Sequence, residues 1–459
     1  MLGRGMEKIG LLAGAALALA SLGCSSDDSS AGPTGGSGGS GGAAGSGGAS
    51  GAGGGGGSTA CTAPPRSFWT WDLGVMPPLD VQVSATCRAQ TEHAYVYVAD
   101  DVWDTALSQP QVDVIVQAFA HATPAEPSRG IYELTVETFG EPPDIDQDGR
   151  VVLFYQHMAG FQGYTFDGFF RSLDQTPGAM SNQTEMLHLN ATGPNAPDSD
   201  YMLGVAAHEL VHLIGSRYDS GEEGWLDEAL AEAAMTRAGY LTDLPAAKGY
   251  VKSTATTPLC VTSYSDYGAT FSFGTYLLDR FGPPFLAKVL QDPQKGRASV
   301  ESHLPVGSTF NSVFGEFMVA CALDQPSIGD GRFGFSSVEL SGLGFETPGL
   351  IDGATHWAEV VAFGSRNLKF SPSGAGTLSV LIESPELAKL VAHSVVFDAA
   401  SPAGAQVTAH DLTNSATIAV TTSAGQVVVL VIAADVGPAL ATSKDAPKLT
   451  FTYNATFAP

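Results

Sequence analysis

Two histidines and a glutamate stand in the order His-Glu-x-x-His at His208, Glu209 and His212, inside the mostly apolar segment 202–216. On a helix, residues i and i+4 lie on the same face, one turn apart. The two imidazoles can therefore bind one zinc ion, with Glu209 beside that ion and not bound to it. The motif predicts hydrolytic chemistry, in which zinc activates a water molecule for attack on a carbonyl and Glu209 accepts the proton.

A catalytic zinc ion needs a third protein ligand and an open position for water. Glu228 and Glu232 follow the motif and lie one turn apart on a predicted helix. One carboxylate can bind zinc while the other accepts the free ring N–H of a ligating histidine, so we assign Glu228 as ligand and Glu232 as the orienting residue. Asp227 points about 100° away on the helix. The loop residues Glu222 and Glu223 are also competitors, and we expect them to be solvated.

The developing oxyanion also needs a hydrogen-bond donor other than the metal, usually a Tyr or His. Tyr267 is the best candidate, because it stands where a loop leads into the predicted helix 269–281. Tyr264 and His188 are alternatives. A tyrosine that only packs in the core fits the sequence equally well, so the catalytic role of Tyr267 is a hypothesis.

A second metal-binding pattern places Asp144, Asp146 and Asp148 at alternate positions around a tight glycine turn, directly before the apolar run 151–155. Three carboxylates at this spacing suit a hard cation such as calcium. An EF-hand loop needs Glu at its twelfth position, where Tyr155 stands. The segment is either a calcium loop or an acidic turn without metal, and the sequence does not choose between them.

The N-terminal segment predicts export. Residues 1–23 combine two basic residues with a short apolar run, as in a signal peptide. Cys24 follows a small residue as in a bacterial lipobox, although Ser21 stands where Leu is usual; the alternative is an ordinary signal peptide with a chance Cys. Residues 24–60 are mostly Ser, Gly and Ala, which form a flexible tether. We expect a lipoprotein of the bacterial cell envelope or surface, or one released outside the cell.

The cysteines agree with export. If Cys24 carries lipid, four cysteines are left, as expected for two disulfides. Proximity along the chain favours the pairs Cys61–Cys87 and Cys260–Cys321, although three pairings are open. Free buried thiols are the less favoured alternative.

The chain has 459 residues and is strongly acidic, with 47 Asp and Glu against 21 Lys and Arg and a formal net charge of −26. This charge argues against nucleic acid and against an anionic membrane surface as partners. We expect contact with a membrane only through the lipid. We expect the partners to be protein or peptide substrates. We expect the protein to be a monomer.

The predicted elements indicate an α+β fold of two domains. Over 61–341 we predict a metallopeptidase domain around the central HExxH helix, and over 342–459 an all-β sandwich. In the first domain the apolar spacing predicts strands at 92–98, 151–155 and 186–190 and helices at 112–122, 131–139, 202–216, 225–239, 269–281, 284–291 and 310–322. In the second it predicts strands at 377–382, 392–397, 417–421, 427–433 and 449–453. We expect strand 186–190 to border the cleft and to pair with extended peptide.

These motifs resemble those of known peptidases. The gluzincin pattern is similar to the order found here, His208-Glu209-x-x-His212 followed by WLDEALAE at 225–232. In that pattern the Glu of an (Asn/Asp)-Glu pair is the third zinc ligand, and an acidic residue four positions later orients a ligating histidine. That resemblance implies Glu228 as ligand and Glu232 as orienting residue. The chain departs from the gluzincin pattern at two points. Fifteen residues separate His212 from Glu228, fewer than in thermolysin-type enzymes, and Asp227 stands where Asn is common.

Six segments between about residues 95 and 323 more closely resemble the hyicolysin-like neutral zinc metallopeptidases. The resemblance implies a zincin-type fold, zinc endopeptidase activity and an accessory C-terminal β domain. The segments are DIDQDGRVVLFY, SNQTEMLHLN, the HExxH helix, WLDEALAEAA, DYGATFSFGTYLLDRFG and TFNSVFGEFMVACAL.

The leading hypothesis is a zinc endopeptidase acting outside the cytoplasm, and two others stay open. A zinc aminopeptidase would need an acidic anchor for the substrate amine, for which Glu185 or Glu223 can serve. A surface adhesin would use the β-sandwich for binding and keep a structural zinc site. An intact Glu209 argues against the adhesin, because a structural site has no use for a general base.

Overall fold

The computed structural model describes residues 60–259, 264–340, 347–412, 417–434 and 446–459. The predicted signal peptide, Cys24 and the tether up to residue 59 lie outside the described residues. Cys260 and the predicted domain boundary at 341/342 lie outside them as well. In the described ranges, no helix is long and apolar enough to cross a membrane.

A six-stranded mixed sheet organises the N-terminal half. Its strands lie in the order β1-β2-β3-β4-β6-β5, with β3, β4 and β6 parallel and each remaining strand antiparallel to its neighbour. The central strand β4 is buried along its whole length, as expected where a sheet is covered on both faces. The bounds are β1 Arg66–Asp72, β2 Leu79–Gln90, β3 Ala94–Ala99, β4 Val151–Gln156, β5 Gly168–Phe170 and β6 Met186–Asn190.

Helices Gln109–Ala120 and Asp200–Tyr218 pack against this sheet, and every helix predicted from the sequence has a counterpart. Two short helices, α5 and α8, have no counterpart among the predicted elements. The bounds are α1 Gln109–Ala120, α2 Ile131–Phe139, α3 Asp200–Tyr218, α4 Gly224–Arg237, α5 Pro245–Tyr250, α6 Tyr264–Phe281, α7 Pro283–Leu290, α8 Arg297–His303 and α9 Phe310–Leu323.

Helix α3 carries the HExxH motif through the interior. It begins where the Ser199 hydroxyl accepts a hydrogen bond from the Met202 backbone N–H, and residues 202–211 are all buried. Helix α4 packs on α3, and α6 packs on α4 at very short range. A Cβ atom added at Gly274 of α6 would lie 1.9 Å from the Ala229 carbonyl oxygen of α4, so only glycine permits this approach. Helix α4, which carries Glu228, therefore lies packed between α3 and α6.

The C-terminal strands form two sheets, in the orders β13-β10-β15-β8 and β12-β11-β14-β9-β7, that share an apolar core. Their pairs are antiparallel except β7 with β9. These sheets agree with the predicted β-rich C-terminal region, although β7, β8, β9 and β12 were not predicted individually. The bounds are β7 Thr347–Pro348, β8 Thr355–Val361, β9 Ser365–Phe370, β10 Gly376–Glu383, β11 Leu390–Asp398, β12 Ser401–His410, β13 Thr417–Thr422, β14 Gln426–Ala434 and β15 Lys448–Ala458.

Strand β14 explains the unbroken apolar run near residue 430. Val428 and Leu430 face the core between the two sheets, whereas Val429 and Val431 face the core that contains α9. Successive side chains of a strand point to opposite faces, so both faces of β14 are buried. The five-stranded sheet therefore packs directly on the N-terminal half.

Of the two predicted disulfides, Cys61–Cys87 is present. The prediction of a Cys260–Cys321 bond is not met: Cys321 is a free, buried thiol in α9. It faces the apolar core, and burial raises the pKa of this thiol well above its ordinary value. Proximity along the chain misled here, because the buried face of an apolar helix also accommodates a free cysteine.

Candidate metal centre

Helices α3 and α4 bring together the three side chains predicted to bind zinc. His208 Nε2 lies 3.1 Å from His212 Nε2 and 3.4 Å from Glu228 Oε2. His212 Nε2 lies 3.8 Å from Glu228 Oε1. One possible ligand atom of each residue lies within 4.8 Å of those of the other two. The side chain of Glu228 is only 1% exposed.

These residues fit a zinc ion. Tetrahedral bonds of about 2.0–2.2 Å place neighbouring ligand atoms about 3.3 Å apart, and the three measured separations lie around that value. Both carboxylate oxygens of Glu228 are buried, and they face the two imidazole Nε2 atoms and the Tyr267 hydroxyl. A buried carboxylate is stable when it is paired or bound to a metal, so the donor set matches a cation held between α3 and α4.

Asp227 contacts the outer ring nitrogen of His212. The His212 Nδ1 atom lies 3.1 Å from Asp227 Oδ2, so Nδ1–H donates to the carboxylate and Nε2 is left facing Glu228. The sequence prediction gave the orienting role to Glu232, and it set Asp227 aside as a zinc ligand because Asp227 points about 100° away from Glu228. That direction is what places Asp227 at the outer nitrogen of His212.

Glu232 lies behind the ligand set. Burial raises its pKa to about 7, opposed by His208 and reinforced by Glu228. Its Oε2 atom is buried without a hydrogen-bond partner in the part of the chain that the structure describes. The predicted contact of Glu232 with an imidazole N–H is therefore not seen among the described residues.

Glu209 and Tyr267 complete the group. Glu209 is buried on α3, and burial raises the pKa of its carboxyl while His208 and His212 lower it. Tyr267 lies in the first turns of α6. Burial, then the carboxylates of Glu228 and Glu232, raise its pKa well above the ordinary value, so the hydroxyl stays protonated. The structure thus places a carboxyl group and a protonated tyrosine hydroxyl near the candidate ligands.

Three other sequence candidates are engaged elsewhere. His188 of β6 is fully buried, and its Nε2 atom lies 2.8 Å from Asp174 Oδ2. Glu222 accepts a hydrogen bond from the Gly296 backbone, and Glu223 accepts one from the indole of Trp225. The side chain of Tyr264 lies outside the described residues.

Strand β5 is the edge strand of the sheet that lies beside the candidate metal centre. The prediction that strand 186–190 can pair with peptide is wrong, because β6 already pairs with β4 and β5. A Cβ atom added at Gly168 would lie 3.2 Å from Glu209 Cγ, so β5 passes directly beside the predicted base. With only three residues, β5 is too short to show an alternating apolar pattern, although its Gly168 marks the close approach.

Part of the chain is similar to a known protease. It is 30% identical over 116 residues to the neutral metalloprotease ShpI of Staphylococcus hyicus. The match covers 22% of this chain and 26% of that protein, so the chain spans about a quarter of its relative's length. No family model matches the chain. The relative indicates a distant similarity to metalloproteases.

Two solved structures align with 24% of the chain each. One is PliG of Aeromonas hydrophila, a periplasmic inhibitor of g-type lysozyme (13% identity, 96% of that chain, TM-score 0.19). The other is the pre-peptidase C-terminal domain of a Bacillus anthracis collagenase (10% identity, 95% of that chain, TM-score 0.18). Scores this low establish no shared fold.

Proposed function

We propose that this protein is a zinc-dependent endopeptidase. The observation that carries the proposal is the convergence of two imidazole nitrogens and a buried carboxylate at His208, His212 and Glu228. Glu209 stands beside this set, where a purely structural zinc site would need no base. The partial match to a neutral metalloprotease supports the same reaction class.

Each side chain of the site has a separate role in the proposed reaction. When bound, zinc supplies Lewis-acid activation of a water molecule and of the substrate carbonyl. Glu209 takes a proton from the attacking water and passes it to the leaving nitrogen. Asp227 keeps the proton of His212 on Nδ1, so that Nε2 faces the ion. Tyr267 donates its hydroxyl proton in a hydrogen bond to the developing oxyanion.

The edge strand β5 favours an endopeptidase. An extended peptide can add to Gly168–Phe170 as a further strand, which places a scissile bond beside Glu209. Binding through the main chain requires no free amino terminus. The acidic anchors considered for an aminopeptidase are engaged elsewhere, since Glu185 accepts from the Ile145 backbone N–H and Glu223 from Trp225.

Metal removal tests the proposal directly. We expect the purified protein to cleave casein, to lose that activity after treatment with a chelator, and to recover it with one equivalent of zinc. The measurement is the release of acid-soluble peptides together with the zinc content of the protein. A protein that binds zinc stoichiometrically and leaves casein and unfolded peptides intact would contradict the proposal.

Replacing Tyr267 by Phe tests the oxyanion donor. Loss of one such donor lowers kcat by about 10²–10³-fold, so we expect a fall in this range with KM and zinc content unchanged. Tyr276→Phe is the matched control, because Tyr276 lies on the same helix and its hydroxyl donates to the Arg332 carbonyl oxygen. Equal kcat values for the two variants would show that Tyr267 packs in the core and has no catalytic role.

A further inference from the structure

A second group of acidic side chains lies outside the candidate zinc centre. Asp144 and Asp146 belong to the loop between α2 and β4, and Glu185 directly precedes β6. Their carboxylates come together so that one oxygen from each lies within 4.8 Å of the others. The sequence motif pointed to the two aspartates, whereas Glu185 is about 40 residues away along the chain.

Glu185 distinguishes this cluster from an ordinary acidic surface. Its side chain is 1% exposed, and its Oε2 atom accepts a hydrogen bond of 2.8 Å from the Ile145 backbone N–H. Its Oε1 atom is buried and has no hydrogen-bond partner among the described residues. Burial raises the pKa of this carboxyl to about 7, and the charges of Asp146 and Asp144 contribute to the rise. A buried oxygen of this kind needs a positive partner.

No basic side chain supplies that partner in the described ranges. Arg150, the nearest arginine along the loop, donates to the backbone oxygens of Thr91 and Asp148. Arg217, at the end of α3, donates to the backbone oxygen of Pro142. The cluster therefore combines three carboxylates with no basic partner among the described residues.

The loop is already folded around the cluster. Asp144 Oδ1 accepts from the Gly149 backbone N–H at 3.2 Å, and Asp146 Oδ2 accepts from the Thr184 hydroxyl at 2.8 Å. Gln147 and Gly149 have positive φ angles of 63° and 71°, which turn the chain tightly between the aspartates and β4. The carboxylates are thus held in place by contacts that do not neutralise their charge.

We propose that Asp144, Asp146 and Glu185 bind a calcium ion that fastens the acidic loop to the start of β6. Carboxylate oxygens on an irregular loop suit calcium, which accepts six to eight oxygen ligands in flexible geometry, whereas magnesium requires a near-ideal octahedron. Waters and backbone oxygens would complete the shell. This site is independent of the proposed peptidase activity.

Asp148, the third aspartate of the predicted calcium motif, is not part of this set. Its Oδ1 atom accepts a 2.9 Å hydrogen bond from the Arg150 backbone N–H, and its carboxylate also interacts with the Tyr95 hydroxyl. The turn places Asp148 beside Tyr95 of β3, and its oxygens are not among those that converge with Glu185. The expected DxDxDG ligand set is therefore corrected to two loop aspartates and one distant glutamate.

Thermal unfolding of the full-length, zinc-loaded protein tests calcium binding. A ligand at about 100 times its Kd stabilises a protein by about 2.7 kcal/mol, so saturating CaCl₂ should raise the unfolding midpoint by roughly 5 °C. Equimolar MgCl₂ should have a smaller effect. Terbium luminescence gives a second readout, because Tyr132 lies within electrostatic range of Asp144 and Glu185 and can sensitise the ion.

Two carboxyl-to-amide variants decide the ligand set. Glu185→Gln should abolish both the calcium shift and the terbium signal, and without calcium it should be at least as stable as the wild type, because it removes a buried unpaired charge. Asp148→Asn should keep both responses. The proposal is overturned if the wild type shows no calcium shift, if Glu185→Gln keeps it, or if Asp148→Asn loses it.

Discussion

Replacing Glu209 by Gln is expected to lower kcat for peptide hydrolysis by about 10²–10⁴-fold, the range for loss of a general acid–base group. The amide keeps the size of the side chain and cannot accept the proton of the attacking water. KM and zinc content should be unchanged, because Glu209 is not among the converging ligand atoms. Steady-state kinetics on a fluorogenic peptide, with metal analysis of the same samples, measures the effect.

The stability of this variant provides an internal control. Burial raises the pKa of Glu209 in the folded protein, so its ionised form opposes folding and the opposition grows as pH rises above the unfolded-state pKa. The metal-free Glu209→Gln protein should therefore unfold at or above the wild-type midpoint near pH 7. A variant with more than a tenth of wild-type kcat would show that another group acts as the base.

The local part of the site is predictable from sequence. Helical periodicity alone places His208, His212 and Glu209 on adjacent faces of one turn, and the structure has them there. The α2 and β6 bounds also match the predicted 131–139 and 186–190, because both segments are short, apolar and bounded by turn residues. These features depend on neighbours three or four positions away.

Features that depend on tertiary packing were not predicted from the sequence. Asp227 contacts the outer nitrogen of His212 only because α4 packs on α3 with these two residues side by side. The helical periodicity of the sequence does not predict how two helices pack. Glu185 joins the acidic loop because β4 and β6 are adjacent parallel strands, a pairing between distant segments. The edge position of β5 likewise follows from strand order, which is a property of the whole sheet.

Substituting Glu228 by Ala is expected to remove the metal. The carboxylate is 1% exposed and faces both imidazole Nε2 atoms, so its loss leaves two protein ligands where a catalytic zinc site needs three. Zinc affinity should fall by more than about 100-fold, beyond the range for loss of an orienting contact. Metal analysis after dialysis and calorimetric zinc titration of the metal-free protein measure this loss, and casein cleavage should disappear with it.

Two conservative variants locate the orienting residue. Asp227→Asn should weaken zinc binding by about 10–100-fold, because a neutral amide no longer supports the Nδ1–H of His212 as a carboxylate does. Glu232→Gln changes the same chemical group one helical turn beyond Glu228, where no contact with an imidazole is seen among the described residues, and should change affinity much less. If Glu232→Gln proves the weaker binder, the orienting role belongs to Glu232, as the gluzincin resemblance implies. If Glu228→Ala retains stoichiometric zinc, the third ligand lies elsewhere.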